Sequence, residues 1–347
     1  MVKRLEINDF LAAPGPLLDV RSPAEYAQGR LPEAISYPLF DDAERAQVGT
    51  CYKRQGRDAA DELGIELLGP KLGAMVRQAR AIAPDKTVRV HCWRGGMRSG
   101  GVAWGLQLAG FQVTTLVGGY KAFRRWVRQT FTTPRQIIVL GGMTGTGKTQ
   151  ILHALAALGE QGLDLEGCAN HRGSSFGNLD LPPQPSTEQF ENLLGDRLAT
   201  LDPHRPLWIE AESRRVGTCC VPPELFQQME AAPTLEIVRP EAERLDILVA
   251  VYGQTDRAEL IAATERIRKR LGGQRTQQAI ALIRQEAPRE VCQIMLDYYD
   301  RAYRYDLDRR EQVIPQIDVT GYSATTAAQL LIEKATFLAL ADRPSSD

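Results

Sequence analysis

Two short stretches hold the residue types that could do chemistry. The first is His91-Cys92-Trp93-Arg94-Gly95-Gly96-Met97-Arg98-Ser99, a thiol at the foot of a glycine-containing loop that an arginine closes. The second, about fifty residues further on, is Gly142-Met143-Thr144-Gly145-Thr146-Gly147-Lys148-Thr149, a complete G-x-x-x-x-G-K-T phosphate loop. One can carry a nucleophile and the other a polyphosphate. A chain with both is expected to move an atom or group through a covalent sulfur intermediate and to handle a phosphorylated co-substrate.

Around Cys92 the expected order is strand, loop, helix. That order rings the sulfur with backbone N–H groups and adds the positive end of a helix, while Arg94 and Arg98 add charge. All of these favour the thiolate, which is the nucleophilic form. The same ring can hold an oxyanion or a transferred chalcogen. A buried, inert cysteine is the bland alternative, and two arginines with two glycines argue against it.

In the second stretch Gly142, Gly145 and Gly147 let the backbone wrap closely around phosphates. Lys148 supplies a point charge, and Thr149 can ligate Mg²⁺. The partner carboxylate stays open. Asp164 and Glu166 follow one apolar run, Glu210 and Glu212 another, and each could bind metal, act as a base or sit at a solvated strand end. Structural zinc is not expected, because four ligands of suitable spacing are missing.

The elements that must position these residues alternate. Strands are expected at Leu17–Val20, Ala34–Pro38, Thr87–His91 and Val113–Leu116. Helices are expected at Pro23–Tyr26 (with Ser22 as N-cap), Leu72–Ile82, Ser99–Leu108 and Lys121–Val127. Thr132-Thr133-Pro134 reads as a boundary between domains at 1–128 and 134–347. Past it come strands at Gln136–Leu140, Leu163–Leu165, Leu207–Ile209 and Leu235–Val238, a helix at Lys148–Leu158 and a mostly helical C-terminal part from Glu241. The expected class is α/β with parallel sheets. Residues 167–190, rich in Gly, Ser, Pro and Asn, read as a long functional loop or lid. Pro344-Ser345-Ser346-Asp347 reads as a frayed end.

At 347 residues two domains are expected, and 43% hydrophobic with 24% charged residues is a globular balance. No apolar run is long enough to span a bilayer, and no secretion signal is expected. Six scattered cysteines without a CxxC pair point to a reducing cytoplasm. A net charge of −1 means that any RNA surface must be a local patch. Arg266, Arg268, Lys269, Arg270 and Arg275 form one candidate; Lys121, Arg124, Arg125 and Arg128 form another. Either could be a solvated helix face. Tyr298, Tyr299, Tyr303 and Tyr305 could stack bases or pack helices. His171, Arg172 and Ser174 could line a reaction site or touch RNA, while His153 reads as structural.

The first 128 residues resemble rhodanese domains, on Leu18-Asp19-Val20-Arg21-Ser22-Pro23-Ala24-Glu25-Tyr26, Gly29-Arg30-Leu31-Pro32-Glu33-Ala34-Ile35 and Gly110-Phe111 through Gly118-Gly119-Tyr120. The Cys92–Arg98 loop is one residue longer than most rhodanese loops of this kind. His-Cys-x5-Arg-Ser also fits the cysteine phosphatase signature, and the wider loop suits a tetrahedral, phosphate-bearing donor.

Nearly the whole chain is similar to the bacterial tRNA 2-selenouridine synthase family. The likeness rests on both loops, on Gly49-Thr50-Cys51-Tyr52-Lys53, on Asp164-Leu165-Glu166-Gly167 and on Ala169-Asn170-His171-Arg172-Gly173-Ser174-Ser175-Phe176-Gly177. Ile209-Glu210-Ala211-Glu212-Ser213-Arg214 and Leu271-Gly272-Gly273-Gln274-Arg275 extend it. The resemblance implies an enzyme acting on 2-thiouridine at the wobble position of tRNA. It implies S-geranylation by geranyl diphosphate, then replacement by selenium from selenophosphate. On that reading Cys92 carries selenium, Arg94 and Arg98 hold its donor, and Gly142 to Thr149 hold the prenyl diphosphate with Mg²⁺. Neither membrane nor DNA is an expected partner. The competing readings are a nucleotide-dependent kinase or NTPase with a rhodanese-like module, a cysteine phosphatase, and a non-enzymatic tRNA-binding module.

Overall fold

The computed structural model describes residues 2–307 and 314–341, with side chains over 2–301 and 314–335. The C-terminal Pro344–Asp347 stretch and the side chains of Tyr303 and Tyr305 lie outside the described residues. The chain separates into two compact units: residues 1–130 with 191–196, and residues 131–190 with 197–347.

The first unit is built on β1 (Lys3–Leu5), β2 (Leu17–Asp19), β3 (Ile35–Ser36), β4 (Thr87–His91) and β5 (Gln112–Leu116). They form one parallel sheet in the order β1-β5-β4-β2-β3. Parallel strands are covered on both faces and therefore read as nearly continuous apolar runs. Leu18, Val20, Val88, Val90, Val102, Leu106 and Val113 make the core, each contributing about 1.5–3 kcal/mol on burial. The register sets Asp19 beside His91, one residue before the thiol.

The second unit holds β6 (Ile137–Gly142), β7 (Gln161–Leu163), β8 (Leu207–Glu210), a small hairpin of β9 (Arg215–Val216) and β10 (Cys219–Cys220), β11 (Thr234–Val238) and β12 (Gln316–Asp318). Its parallel sheet runs β12-β11-β6-β8-β7. The chain leaves β6 toward β7 and β8 on one side and later returns to β11 on the other. That reversal opens a crevice at the C-terminal end of β6, where ligands bind in such sheets. The phosphate loop is the segment that leaves this end. Between β11 and β12 the described residues are mostly helical, with helices at Glu241–Tyr252, Arg257–Arg266, Arg268–Leu271, Gly273–Arg284 and Pro288–Leu307.

Several boundaries differ from expectation, each for a local reason. The strand expected over Leu163–Leu165 ends at Leu163, because Asp164 accepts from the Gly167 N–H at 2.6 Å and starts a helix over Leu165–Ala169. The helix expected over Lys121–Val127 runs over Gly119–Thr132. Helices at Asp42–Gln55 and Arg57–Leu68 were not expected. The first buries no residue, so it carries no apolar stripe to read. Among the described residues no helix is long and apolar enough to cross a membrane, and all six cysteines are free.

Candidate active site

The thiol loop leaves β4 and ends at the helix Met97–Leu108. Cys92 is 3% exposed, and its Sγ lies 3.2 Å from Ser99 Oγ, the first-turn hydroxyl of that helix. The loop is pressed against the 116–119 turn. A Cβ at Gly119 (φ +58°) would sit 2.3 Å from the Cys92 carbonyl, and one at Gly95 (φ +64°) 2.5 Å from the Leu116 carbonyl. Only glycine permits both the left-handed backbone and the approach.

Arg94 is exposed. Arg98 is not a free charge, as the sequence had implied: it pairs with Glu25 at 2.5 Å. Glu25 is the N3 residue of the capping box at Ser22 and also accepts from the Ser22 N–H at 3.0 Å. One carboxylate thus ties the helix Pro23–Gln28 to the reactive loop. Deeper, Arg21 is fully buried, chelated by Asp19 and lying 3.8 Å over the Tyr120 ring. His91 is also fully buried, 3.6 Å from Asp19.

The phosphate loop links β6 to the helix Lys148–Ala157. Gly142, Gly145 and Gly147 all have positive φ. Lys148 Nζ donates to the loop's own Gly142 carbonyl at 2.7 Å. Thr149 Oγ1 donates to Glu166 Oε2 at 2.9 Å, so the hydroxyl at the head of the helix already touches a carboxylate. Glu210, at the end of β8, is opposite Leu140 of β6 and accepts from the Glu166 N–H at 2.9 Å. Its Oε2 is buried and has no hydrogen-bond partner among the described residues. A Cβ at Gly173 would lie 2.5 Å from Glu212 and 3.0 Å from Glu166, so the 170–180 segment passes close over both acids. Glu166, Glu210 and Glu212 therefore gather beside Lys148 and Thr149. Asp164 is engaged differently, capping its helix and meeting His153 at 2.7 Å.

The acids are held toward their neutral forms. Burial pushes Glu212 up to about 8, and the Glu166 charge adds to it. Burial also raises Glu166, against the pull of Thr149 and Lys148, and raises Glu210 well above the usual range. In the other unit burial drives His91 down to about 4. Opposite signs of linkage follow. A buried neutral imidazole stabilises the fold above its ordinary value near 6.5, and that contribution is lost as pH falls toward 4. A carboxyl raised to about 8 stabilises below its ordinary value of 4.5, and that contribution is lost as pH rises toward 8. Hydrogen exchange should therefore show β4 loosening on acidification from pH 6.5 to 4, and β8 with the helix Leu165–Ala169 loosening from pH 5 to 8. Glu212→Gln should flatten only the second trend; an unchanged trend in that variant would refute the assignment.

The loop expected over 167–190 is irregular only between the helices Leu165–Ala169 and Thr187–Ala199, and it is tied down. Phe176 and Leu179 are buried among Ala263, Ile267, Leu271, Ala279 and Met295. Tyr299 Oη meets the Ser175 N–H at 3.0 Å. His171 is 9% exposed, and half-buried Arg172 donates to the Leu179 carbonyl at 2.7 Å and faces the Tyr252 ring. Arg266, Arg268, Lys269 and Arg270 are exposed along two consecutive helices, and Arg275 is half-buried. Lys121, Arg125 and Arg128 are exposed, while Arg124 bonds Asn192 and Glu191. Sequence reasoning gave no role to Glu25, Arg239, Arg244, Asp300 or Gly173. The capping box around Ser22 could have flagged Glu25. Two arginines just past a buried strand could have flagged Arg239 and Arg244.

Residues 135–330 match the family model described as tRNA 2-selenouridine synthase AAA domain, and residues 3–125 match the Rhodanese-like domain. A tRNA 2-selenouridine synthase of Pseudomonas syringae pv. tomato is 36% identical, over 92% of this chain and 96% of that protein. One from Marinobacter nauticus is 35% identical over 90% and 94%, and one from Verminephrobacter eiseniae is 38% identical over 85% and 90%.

Proposed function

The chain belongs to the tRNA 2-selenouridine synthase family, and from that membership we propose that it replaces sulfur by selenium in 2-thiouridine at the wobble position of tRNA. It is an enzyme of the transferase class whose substrate is tRNA. The observation that carries the finer reading is the pairing of a helix-headed thiol loop with a phosphate loop in one chain.

The first step uses geranyl diphosphate. The sulfur of 2-thiouridine attacks the allylic carbon of the donor, the carbon–oxygen bond breaks, pyrophosphate leaves and the N3 proton is lost. The residues assigned to the diphosphate are Gly142, Gly145, Gly147, Lys148 and Thr149. Lys148 would turn from the loop carbonyls to the charge that grows on the departing pyrophosphate. Glu166, Glu210 and Glu212 are the candidates for taking up the N3 proton, whichever of them a bound cation brings to the carboxylate form. Thr149 and Glu166 suit a magnesium ion that keeps most of its waters, because hydroxyl and carboxylate are already adjacent. Such an ion would supply further neutralisation of the diphosphate. Asp164, occupied as a cap, is the least suited of the four acids.

In the second step selenium from selenophosphate takes the place of the S-geranyl group, which leaves as geranyl thiol. With one water the exchange balances without redox change: S-geranyl-2-thiouridine and selenophosphate give 2-selenouridine, geranyl thiol and phosphate. The chemical sense lies in the leaving group, since a thiocarbonyl sulfur is hard to displace and an alkylated one leaves as a thiol. Cys92 is the residue assigned to the selenium donor: its thiolate would attack the phosphorus of selenophosphate, the phosphorus–selenium bond breaks, the selenide set free displaces geranyl thiol from the nucleoside, and one water releases phosphate from the sulfur. Arg94, exposed at the loop, and Arg98, steadied by Glu25, are assigned to the phosphate-bearing donor. Arg266, Arg268, Lys269, Arg270 and Arg275 are the favoured phosphate contacts for tRNA, and Lys121, Arg125 and Arg128 a second set. A cytoplasmic site follows from the substrate.

Mass spectrometry of the wobble nucleoside tests this reading, with 2-thiouridine tRNA given geranyl diphosphate and then selenophosphate. The expected products are the S-geranyl nucleoside and then 2-selenouridine; no mass change at either step would end the proposal. The loop spacing favours one rival, a cysteine phosphatase, and efficient hydrolysis of an aryl phosphate without tRNA would support it instead.

A further inference from the structure

Two arginines with no part in the proposed chemistry sit against the phosphate loop. β11 pairs with β6, and just past its end come Arg239 and the helix Glu241–Tyr252. Arg239 Nε donates to the Thr146 carbonyl at 3.3 Å, and its NH1 pairs with Glu243 at 2.6 Å. Arg244 Nε donates to the Thr144 carbonyl at 2.8 Å. The two ends of the same guanidinium are held by Asp300 of the helix Pro288–Leu307, at 3.0 and 2.5 Å. Arg244 is 4% exposed and Asp300 9%. The approach is close enough that a Cβ on Gly145 would lie 2.8 Å from the Arg244 carbonyl.

The consequence comes from peptide geometry. In a planar trans peptide the carbonyl of one residue and the N–H of the next point in opposite directions. Drawing the Thr144 carbonyl toward Arg244 turns the Gly145 N–H to the opposite face of the loop. Drawing the Thr146 carbonyl toward Arg239 does the same for Gly147. N–H groups presented together on one face are what bind a phosphate. We propose that Arg244, clamped by Asp300, is a positioning residue that sets the N–H groups of the phosphate loop for diphosphate binding, with Arg239 holding the second peptide. A purely structural ion pair would not need this arrangement. A buried pair is usually replaceable by apolar residues of similar volume without loss of stability. The donor on the loop carbonyl is the contribution that an apolar residue lacks.

The inference rests on the proposal that residues 142–149 hold a diphosphate, and calorimetry with inorganic pyrophosphate tests both. The paired variant Arg244→Met with Asp300→Leu should melt near the wild-type temperature and bind tRNA normally. It should bind pyrophosphate about 10–30-fold more weakly and raise KM for geranyl diphosphate by a similar factor. Arg244→Lys, which can reach the carbonyl or Asp300 but not both, should fall between. Asp300→Asn, which keeps shape and loses charge, should weaken pyrophosphate about threefold. Wild-type affinity for pyrophosphate in the folded paired variant overturns the clamp. Should that pair not fold, wild-type affinity in both Arg244→Lys and Asp300→Asn overturns it. Wild-type protein that binds no pyrophosphate removes the diphosphate reading as well.

Discussion

Cys92→Ser should abolish formation of 2-selenouridine, by at least about a thousandfold, while S-geranylation proceeds at the wild-type rate. The sulfur and oxygen side chains are nearly isosteric, and Cys92 lies in a loop whose glycines and Ser99 contact are indifferent to the exchange. Folding should therefore survive. The selective loss follows because a hydroxyl is a far weaker nucleophile than a thiol toward selenophosphate, whereas geranylation uses no group at this position. The measurement is nucleoside mass spectrometry on tRNA treated with both co-substrates: the S-geranyl nucleoside should accumulate. Selenouridine formed at the normal rate, with geranylation lost, would reverse the division of roles.

Lys148→Ala should have the complementary effect. Removing one cation from a site where pyrophosphate departs should slow geranylation about 100–1,000-fold, a loss of roughly 3–4 kcal/mol of transition-state stabilisation. Selenation of tRNA that already carries the S-geranyl group should be unaffected. Lys148 now rests on Gly142 and Met143 carbonyls, so its removal should leave the loop's outer supports at Arg239 and Arg244 in place. Single-turnover geranylation with saturating donor measures the chemical step directly, and an unchanged rate would sink the assignment of the phosphate loop.

Much of this was legible in the sequence because both loops are local motifs. Thr87–His91 feeding Cys92, and Ile137–Gly142 feeding the phosphate loop, are buried strands whose apolar runs announce themselves. The helix Asp42–Gln55 was missed because burial leaves no stripe on it, although Asp41 and Glu44 spell its capping box. The strand placed over Leu163–Leu165 ended early because an N-cap aspartate outweighed the apolar flanks. What the sequence could not convey was partnership at long range. Arg98 reads as a free cation until Glu25, 73 positions away, is found beside it. Arg244 and Asp300, 56 positions apart, look like solvated helix charges until both prove buried behind the phosphate loop. Likewise the Gly-Ser-Pro-Asn composition of 167–190 signalled a loop, but not that Phe176 and Leu179 bury it against the C-terminal helices.

The most direct measurement uses the two variants in turn. 2-Thiouridine tRNA is treated with the Cys92→Ser protein and geranyl diphosphate, repurified, and given to the Lys148→Ala protein with selenophosphate. Neither variant alone, supplied with both co-substrates, should yield appreciable 2-selenouridine, whereas the ordered pair should yield it. Selenouridine made in quantity by either variant alone, or none from the ordered pair, would contradict the assignment of one chemical step to each loop.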